Sequence, residues 1–361
     1  MNSNRTPEFQ IQNRKISKSE PTYFIADLAA NHDGSLARAK ELIRLAAAAG
    51  ADAVKFQHFR AEHIVSRSGF EELGGKLGHQ QGWTKSVFDV YKDASIDWSW
   101  TEELKETSDS CGVEFMTSPY DFEAVDHIDP YVNCFKIGSG DITWLEIIDH
   151  IASKGKPVIL ATGASNLEDV VKAVSVIENR GVPYAILQCN TNYTGASSNV
   201  SFINLNVLET FSTKFPNAIL GLSDHTHGDV TVLGAVAKGA RVVEKHFTDD
   251  NERVGPDHAF SMNPTTWSEM VSRTRDLESS LGTGEKQVEK NELETVVLQR
   301  RSLRFSRDLA AGHLVTRGDL SVVRPCPEGA LQPEDYLNVV GKTLNTNVIS
   351  DNLVRMSMFV D

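Results

Sequence analysis

Eight short β-branched runs recur along this chain, each followed by a stretch with helical spacing. That alternation constrains the fold more than any other feature. The runs are 22–29, 52–59, 113–119, 134–140, 157–163, 184–190, 218–225 and 241–247. Between them, segments such as 36–49, 98–110, 143–154, 167–180 and 230–239 carry Ala and Leu at three- and four-residue intervals with charges between, the pattern of an amphipathic helix. Gly50, Gly112, Gly155, Gly181 and Gly239 stand where such helices end. Eight β-then-α units are the arithmetic of an α/β fold of the (β/α)8 TIM-barrel type. The competing doubly wound sheet wants G-x-G-x-x-G after the first strand, and none is there. The barrel is expected over 21–282. Residues 1–20 read as a flexible N-terminal tail, polar and without the apolar core of a signal peptide. Residues 283–302 read as a linker with a charged helix. From 303 to 361 frequent turn signals and short β-like pieces mark a separate small domain.

Charge and cysteine usage narrow the partners. The 36 Lys and Arg against 49 Asp and Glu give a net charge of −13, which disfavours nucleic acid or an anionic membrane. No apolar run approaches the roughly 18 residues of a membrane-spanning helix. Cys111, Cys134, Cys189 and Cys326 are too scattered for a disulfide framework or a zinc site, and read as reduced thiols of a cytoplasmic protein. An anion bound by so acidic a chain must be held by a few basic residues in one place.

Side chains alternate along a strand, and barrel enzymes work at the C-terminal strand ends. Polar residues in otherwise apolar strands therefore mark a candidate site. They are Asp27 on the first strand, Lys55 and Gln57 on the second, Ser118 on the third, and Lys136 with the turn Gly138, Ser139 and Gly140 on the fourth. Ser223 and His225 lie on the seventh, Glu244 and His246 on the eighth. Two lysines among apolar neighbours are costly unless an anion or a carboxylate pairs with them. They suit a phosphate and a carboxylate; alternatively one of them bridges to Glu244 or Asp27. His225 and His246 are either metal ligands or a hydrogen-bonding core pair. Asp257, in the rigid RVGPDHAF loop (253–260), faces the mouth or makes a turn. Residues 60–97, too long for an ordinary βα connection, are expected as a lid. Trp98, Trp100 and His58 read as packing residues, and Cys189 as inert for want of a basic partner.

The motifs NHDGSLARAKELI (31–43), GADAVKFQ (50–57), KIGSGD (136–141), KPVILATG (156–163), GLSDHT (221–226), EKHFTD (244–249), GPDHAFSM (255–262) and, at the C-terminus, RP…YLNVVGK (324–342) occur in this order. From 22 to 361 the chain resembles the sialic acid synthase family, the N-acetylneuraminate synthases and their relatives, and its C-terminal domain resembles their small antifreeze-like (SAF) domain. The resemblance implies condensation of phosphoenolpyruvate with an N-acyl amino-hexose, such as N-acetylmannosamine or a diacetamido-trideoxyhexose. Phosphate is released and a nine-carbon 2-keto acid (a nonulosonic acid) forms. It implies that Lys55, Ser118, Lys136, Ser139 and Ser223 hold phosphoenolpyruvate. His225 and His246 would bind a divalent metal, Mn²⁺ first, with Mg²⁺ or Co²⁺ possible. Gln57, Tyr193 and Asp257 would lie near the sugar. For such a reaction the chemistry itself asks for a base: the metal, or a carboxylate such as Asp27 or Glu244, would deprotonate the attacking water while Lys55 holds the anion, and Asp27 alternatively positions a sugar hydroxyl. Arg324 would reach the sugar's N-acyl group from the partner chain of a domain-swapped homodimer.

Asp27 and Asp141 stand where the family commonly has Glu, and Ala161 where Ser is common. CNTNYTG (189–195) departs from the family pattern, so Asn190, Thr191 and Asn192 all remain candidates for a phosphate contact, with Thr191 the one selected. Other classes stay in view: a different barrel synthase using phosphoenolpyruvate and a phosphorylated sugar, a metal-dependent hydrolase, or a non-catalytic carbohydrate-binding protein carrying an SAF module.

Overall fold

A computed structural model describes residues 7–360; the first six residues of the expected tail and the terminal Asp361 lie outside the described residues. The chain divides into two compact units between Gly282 and Thr283.

In the first unit, an antiparallel hairpin of β1 (Glu8–Ile11) and β2 (Arg14–Ser17) precedes eight parallel strands. These are β3 (Tyr23–Asp27), β4 (Ala53–His58), β5 (Glu114–Pro119), β6 (Phe135–Ile137), β7 (Val158–Ala161), β8 (Tyr184–Cys189), β9 (Ile219–Asp224) and β10 (Val242–His246). All eight expected strands are present. Their hydrogen-bonded order is β5-β4-β3-β10-β9-β8-β7-β6, and β5 lies beside β6 to complete the circle. The five helix-ending glycines all have φ between +70° and +96°, a region that Cβ-bearing residues avoid.

The strand period of two sorts the side chains into two cores. Phe24, Val54, Phe115, Phe135, Leu160, Leu222 and Val243 point outward and are buried under the helices. Tyr23, Ile25, Ala53, Met116, Ile159, Leu187 and Val242 point inward and fill the barrel. Gly221 is small by necessity: a Cβ there would collide with Leu187 and the Val242 carbonyl.

Residues 7–20 correct the expectation of a flexible tail. Phe9, Ile11 and Ile16 of the hairpin are buried in the inward cluster, against residues at the N-terminal ends of the strands. Their alternation with polar residues over only four positions per strand was too short to stand out. The turn after β6 also differs: the strand stops at Ile137, and Ser139–Asp141 forms a 3₁₀ turn. The segment 60–97 is folded, with helices at Ala61–Ile64, Arg67–Glu72 and Val87–Ala94.

The second unit has its own core of Leu303, Phe305, Val339, Leu344, Val354 and Phe359 around the antiparallel pair β11 (Ser302–Phe305) and β12 (Leu320–Val323). The helix Leu293–Gln299 belongs to this unit.

Candidate active site

The register of the barrel assembles the polar residues. His246 pairs with Asp27, Asp27 with Lys55, Gln57 with Ser118, and Glu244 with Ser223. All are inward positions near the C-terminal ends. Both lysines are paired with carboxylates: Lys55 Nζ lies 2.7 Å from Asp27 Oδ2, and Lys136 Nζ 3.3 Å from Glu244 Oε1. Ser223 Oγ donates to Glu244 Oε1 at 3.2 Å. The bridging alternative thus holds for both lysines. It leaves the floor incompletely satisfied, because Ser118 Oγ, Glu244 Oε2 and His246 Nδ1 are buried without a hydrogen-bond partner. A buried polar atom left unpaired costs about 1–3 kcal/mol. Three around one ion-pair floor mark a place built to receive a polar ligand.

The electrostatics separate the two carboxylates. Burial pushes the Asp27 carboxyl above its usual range, and Lys55 only partly counters this. Burial also acts on Glu244, but Lys136 and then Lys55 outweigh it and hold the group down at about 2. Asp27 is therefore the readier proton acceptor, and Glu244 stays charged. Lys55, despite burial, is held above its ordinary value by Asp27 and Glu244.

The two histidines are brought together, with ring centroids 5.4 Å apart. His225 Nδ1 is 3.0 Å from the Asn190 carbonyl. His246 Nε2 is 3.5 Å from Asp27, and its Nδ1 is 3.8 Å from Asp257. Burial, with the nearby His225 and Lys55, lowers His246 to about 3, so its imidazole is neutral and offers a lone pair. Two buried imidazoles beside carboxylate oxygens are a donor set that fits a divalent cation. Among the described residues, no group of three or more His, Cys, Asp or Glu side chains is already set as a complete cage. Tyr193 packs against His225 at 4.4 Å between centroids, and Phe260 against His246 at 5.0 Å, fixing both rings.

Above this floor opens a cavity of about 410 Å³. Gln57, Ser139, Thr191, Tyr193, His246 and Asp257 line it. Of the three candidates on 190–192, Thr191 faces the cavity. Asn190 Nδ2 donates to the Phe202 carbonyl at 3.4 Å, and Asn192 Oδ1 accepts from Thr194 and Asn199 within its own loop. Asp257 is held in place by its loop, which His258 pins through Thr248 Oγ1 (2.7 Å) and Asp33 Oδ1 (3.0 Å). The folded segment 60–97 supplies Trp83, Val90 and Tyr91 to the cavity wall. Arg324 lies in the second unit just past β12, its Nε donating to the Gln299 carbonyl at 2.7 Å.

Some contributors carried no readable signal in the sequence. Asp141 stood out only as a departure, yet it lines the cavity, and burial raises it to about 6. Gly163 N–H donates to Ser139 Oγ at 3.0 Å, and a Cβ at Gly163 would run into Thr191, Ser139 and Cys189. Cys189 corrects another expectation, because it does have a basic partner. Burial raises the thiol, but His225 beside it brings it below its ordinary value. His58 packs as expected, with Thr117 and Thr101 hydroxyls on its two ring nitrogens at 2.7 and 3.0 Å.

An eight-stranded parallel barrel with a polar C-terminal mouth, joined to a small β-rich unit, defines a barrel enzyme with an appended module. Residues 42–286 match the NeuB family and residues 300–360 the SAF domain, and the chain belongs to the NeuB family. It is 35% identical to N,N'-diacetyllegionaminic acid synthase of Legionella pneumophila over 93% of this chain and 96% of that one. It is 29% identical to human N-acetylneuraminate-9-phosphate synthase over 96% and 95% of the two chains. The crystal structure of an N-acetylneuraminic acid synthetase from Leptospira borgpetersenii, in complex with citrate, superposes with a TM-score of 0.70 at 29% identity, covering 81% of this chain and 95% of that one. No helix among the described residues is long and apolar enough to cross a membrane.

Proposed function

We propose that this chain is a nonulosonic acid synthase that condenses phosphoenolpyruvate with an N-acyl amino-hexose and releases phosphate. The observation that carries the reading is the buried floor: two lysines from separate strands, each opposite a carboxylate, ringed by three unsatisfied polar atoms. Lys55 and Lys136 hold the carboxylate and phosphate of phosphoenolpyruvate, with Ser118, Ser139, Thr191 and Ser223 as hydroxyl partners. The orphaned Ser118 hydroxyl finds its partner in this anion.

C3 of phosphoenolpyruvate forms a bond to the aldehyde carbon of the open-chain sugar as the C2–C3 double bond opens, which leaves C2 cationic and the aldehyde oxygen an alkoxide. Water then adds at C2; one of its protons passes to Asp27, the carboxylate whose affinity for a proton is raised, and from there to the new alkoxide. The C2 hydroxyl gives its proton to the departing phosphate as the C2–O bond breaks, leaving a 2-keto acid and inorganic phosphate. Glu244 remains ionised with Lys136 Nζ 3.3 Å from it, so the ion pair facing the redistributing charge is preset. Gln57, Tyr193 and Asp257 hold the sugar. His225 and His246 would hold a divalent cation, Mn²⁺ first, which when bound supplies Lewis acidity to the acceptor's carbonyl oxygen. Arg324 would donate in plane to the N-acyl oxygen from the partner of a domain-swapped homodimer.

The test is phosphate release by the full-length protein with Mn²⁺ across N-acyl amino-hexoses. Release that requires both phosphoenolpyruvate and sugar is expected. Release from phosphoenolpyruvate alone, or none with any such sugar, would overturn the reading.

A further inference from the structure

One tyrosine of the cavity wall has no part in the reaction as described. Tyr120 follows β5 by one residue, two positions beyond Ser118, and lines the cavity. Its ring stands edge-on to Phe59, with centroids 5.8 Å apart and planes at 90°. Its hydroxyl reaches toward Gly138, the first residue after β6. The backbone there does not ask for glycine, since φ −68° and ψ 153° suit any residue. What a side chain at Gly138 would meet is Tyr120. A Cβ would come within 3.2 Å of the phenol oxygen, closer than ordinary contact, and stay 3.6 and 3.7 Å from the ring carbons. The glycine therefore leaves the space that this hydroxyl enters. Among the described residues nothing hydrogen-bonds Tyr120 Oη. Burial, and after it the charge of Asp141, keep the phenol well above its ordinary value, so it stays protonated and can donate.

We infer that Tyr120 is a specificity-determining residue whose hydroxyl donates a hydrogen bond to a hydroxyl of the acceptor sugar, on the side away from the aldehyde. The inference rests on the synthase reading above, in which the aldehyde lies by His225 and His246. Around the barrel, β3 and β4 separate β10 from β5, and β7 and β8 separate β9 from β6. Tyr120 and Asp141 thus stand across the mouth from the histidines, where the rest of a hexose must extend. A sugar hydroxyl that accepts from Tyr120 still has its own proton to give, and Asp141 on the same side accepts it. Phosphoenolpyruvate is held lower, at the lysines and Ser118. An acceptor without the matching hydroxyl would leave the phenol unpaired and shielded from water, which is how a polar contact discriminates.

The experiment reads phosphate release by the full chain with Mn²⁺ and phosphoenolpyruvate. N-acetylmannosamine and a 2,4-diacetamido-2,4,6-trideoxyhexose are the acceptors, and kinetics are taken with whichever turns over faster. Tyr120→Phe removes the oxygen and keeps the ring against Phe59. It should lower kcat/KM for the sugar about three- to tenfold, the worth of one uncharged hydrogen bond. The KM for phosphoenolpyruvate and the unfolding temperature should not move. Gly138→Ala should cost the wild type more than it costs Tyr120→Phe, where the tight contact is gone. An unchanged sugar kcat/KM in Tyr120→Phe, a shift confined to phosphoenolpyruvate, or an equal cost of Gly138→Ala in both backgrounds overturns this inference and leaves the synthase reading standing. No sugar-dependent release by the wild type with either acceptor overturns both.

Discussion

Lys136 reaches Glu244 across the barrel interior, because β6 and β10 are not neighbours in the sheet. A pair made this way depends on the closed barrel. Replacing Lys136 or Lys55 by Ala should raise the KM for phosphoenolpyruvate about ten- to a hundredfold, the worth of a charge-assisted contact. The KM for the sugar should move much less. Steady-state kinetics with each substrate varied would expose the opposite pattern if the lysines served the sugar. Asp27→Asn separates binding from chemistry. It removes the proton acceptor while keeping the shape beside Lys55, so kcat should fall about a hundred- to ten-thousandfold with phosphoenolpyruvate still saturating normally. An Asp27→Asn enzyme with near-normal kcat would assign Asp27 to sugar positioning instead. These residues were legible in the sequence for a simple reason: a lysine, aspartate or histidine inside an apolar strand is an anomaly that needs a partner. Gly163 and Phe260 were not legible. A glycine's value here lies in the side chains of Ser139, Cys189 and Thr191, and a phenylalanine's in two imidazoles, and neither relation is written locally.

At the scale of elements, the eight strands were readable because each is a contiguous apolar run, whereas the packing between them was not. Lys245 shows the difference. It lies between two recognised site residues, yet points outward, and ion-pairs with Asp224 in the layer between strand and helix. Thr226 and Thr231 hydroxyls complete that carboxylate's shell. Burial raises the Asp224 carboxyl, but Lys245 and these donors pull it below its usual range. Its contribution to stability is therefore present above the unfolded value near 3.9 and lost as pH falls through the lower folded value. Lys245→Met strands the carboxylate and should cost about 3–5 kcal/mol at pH 7. Without Lys245, burial leaves Asp224 easy to protonate, so the deficit should shrink as pH drops toward 4. Urea unfolding of wild type and variant at both pH values measures this, and a deficit independent of pH would assign Lys245 a packing role only.

At the scale of the whole molecule, the two units each have a core of their own, yet the proposed reaction draws on both through His246 and Arg324. In a two-fold dimer with exchanged modules, contributions are reciprocal. An Arg324→Ala chain mixed and exchanged with a His246→Ala chain then yields heterodimers with one intact site. Half of an equal mixture is heterodimer, so recovery of about one quarter of wild-type activity is expected. Activity absent from verified heterodimers would place Arg324 with its own barrel or with no site.

The hairpin of residues 8–17 has a kinetic consequence. With Phe9, Ile11 and Ile16 buried against the inward residues at the N-terminal strand ends, the barrel is closed by packing on that side. In the proposed reaction, whatever occupies the lysine floor passes through the space assigned to the sugar. Order of arrival would then be a property of the architecture: the small anion would enter first, and a sugar arriving early would cork the mouth above an empty floor. Excess acceptor should therefore inhibit, and rising phosphoenolpyruvate should relieve that inhibition. Initial-rate patterns showing random addition would mean that the mouth admits both substrates side by side.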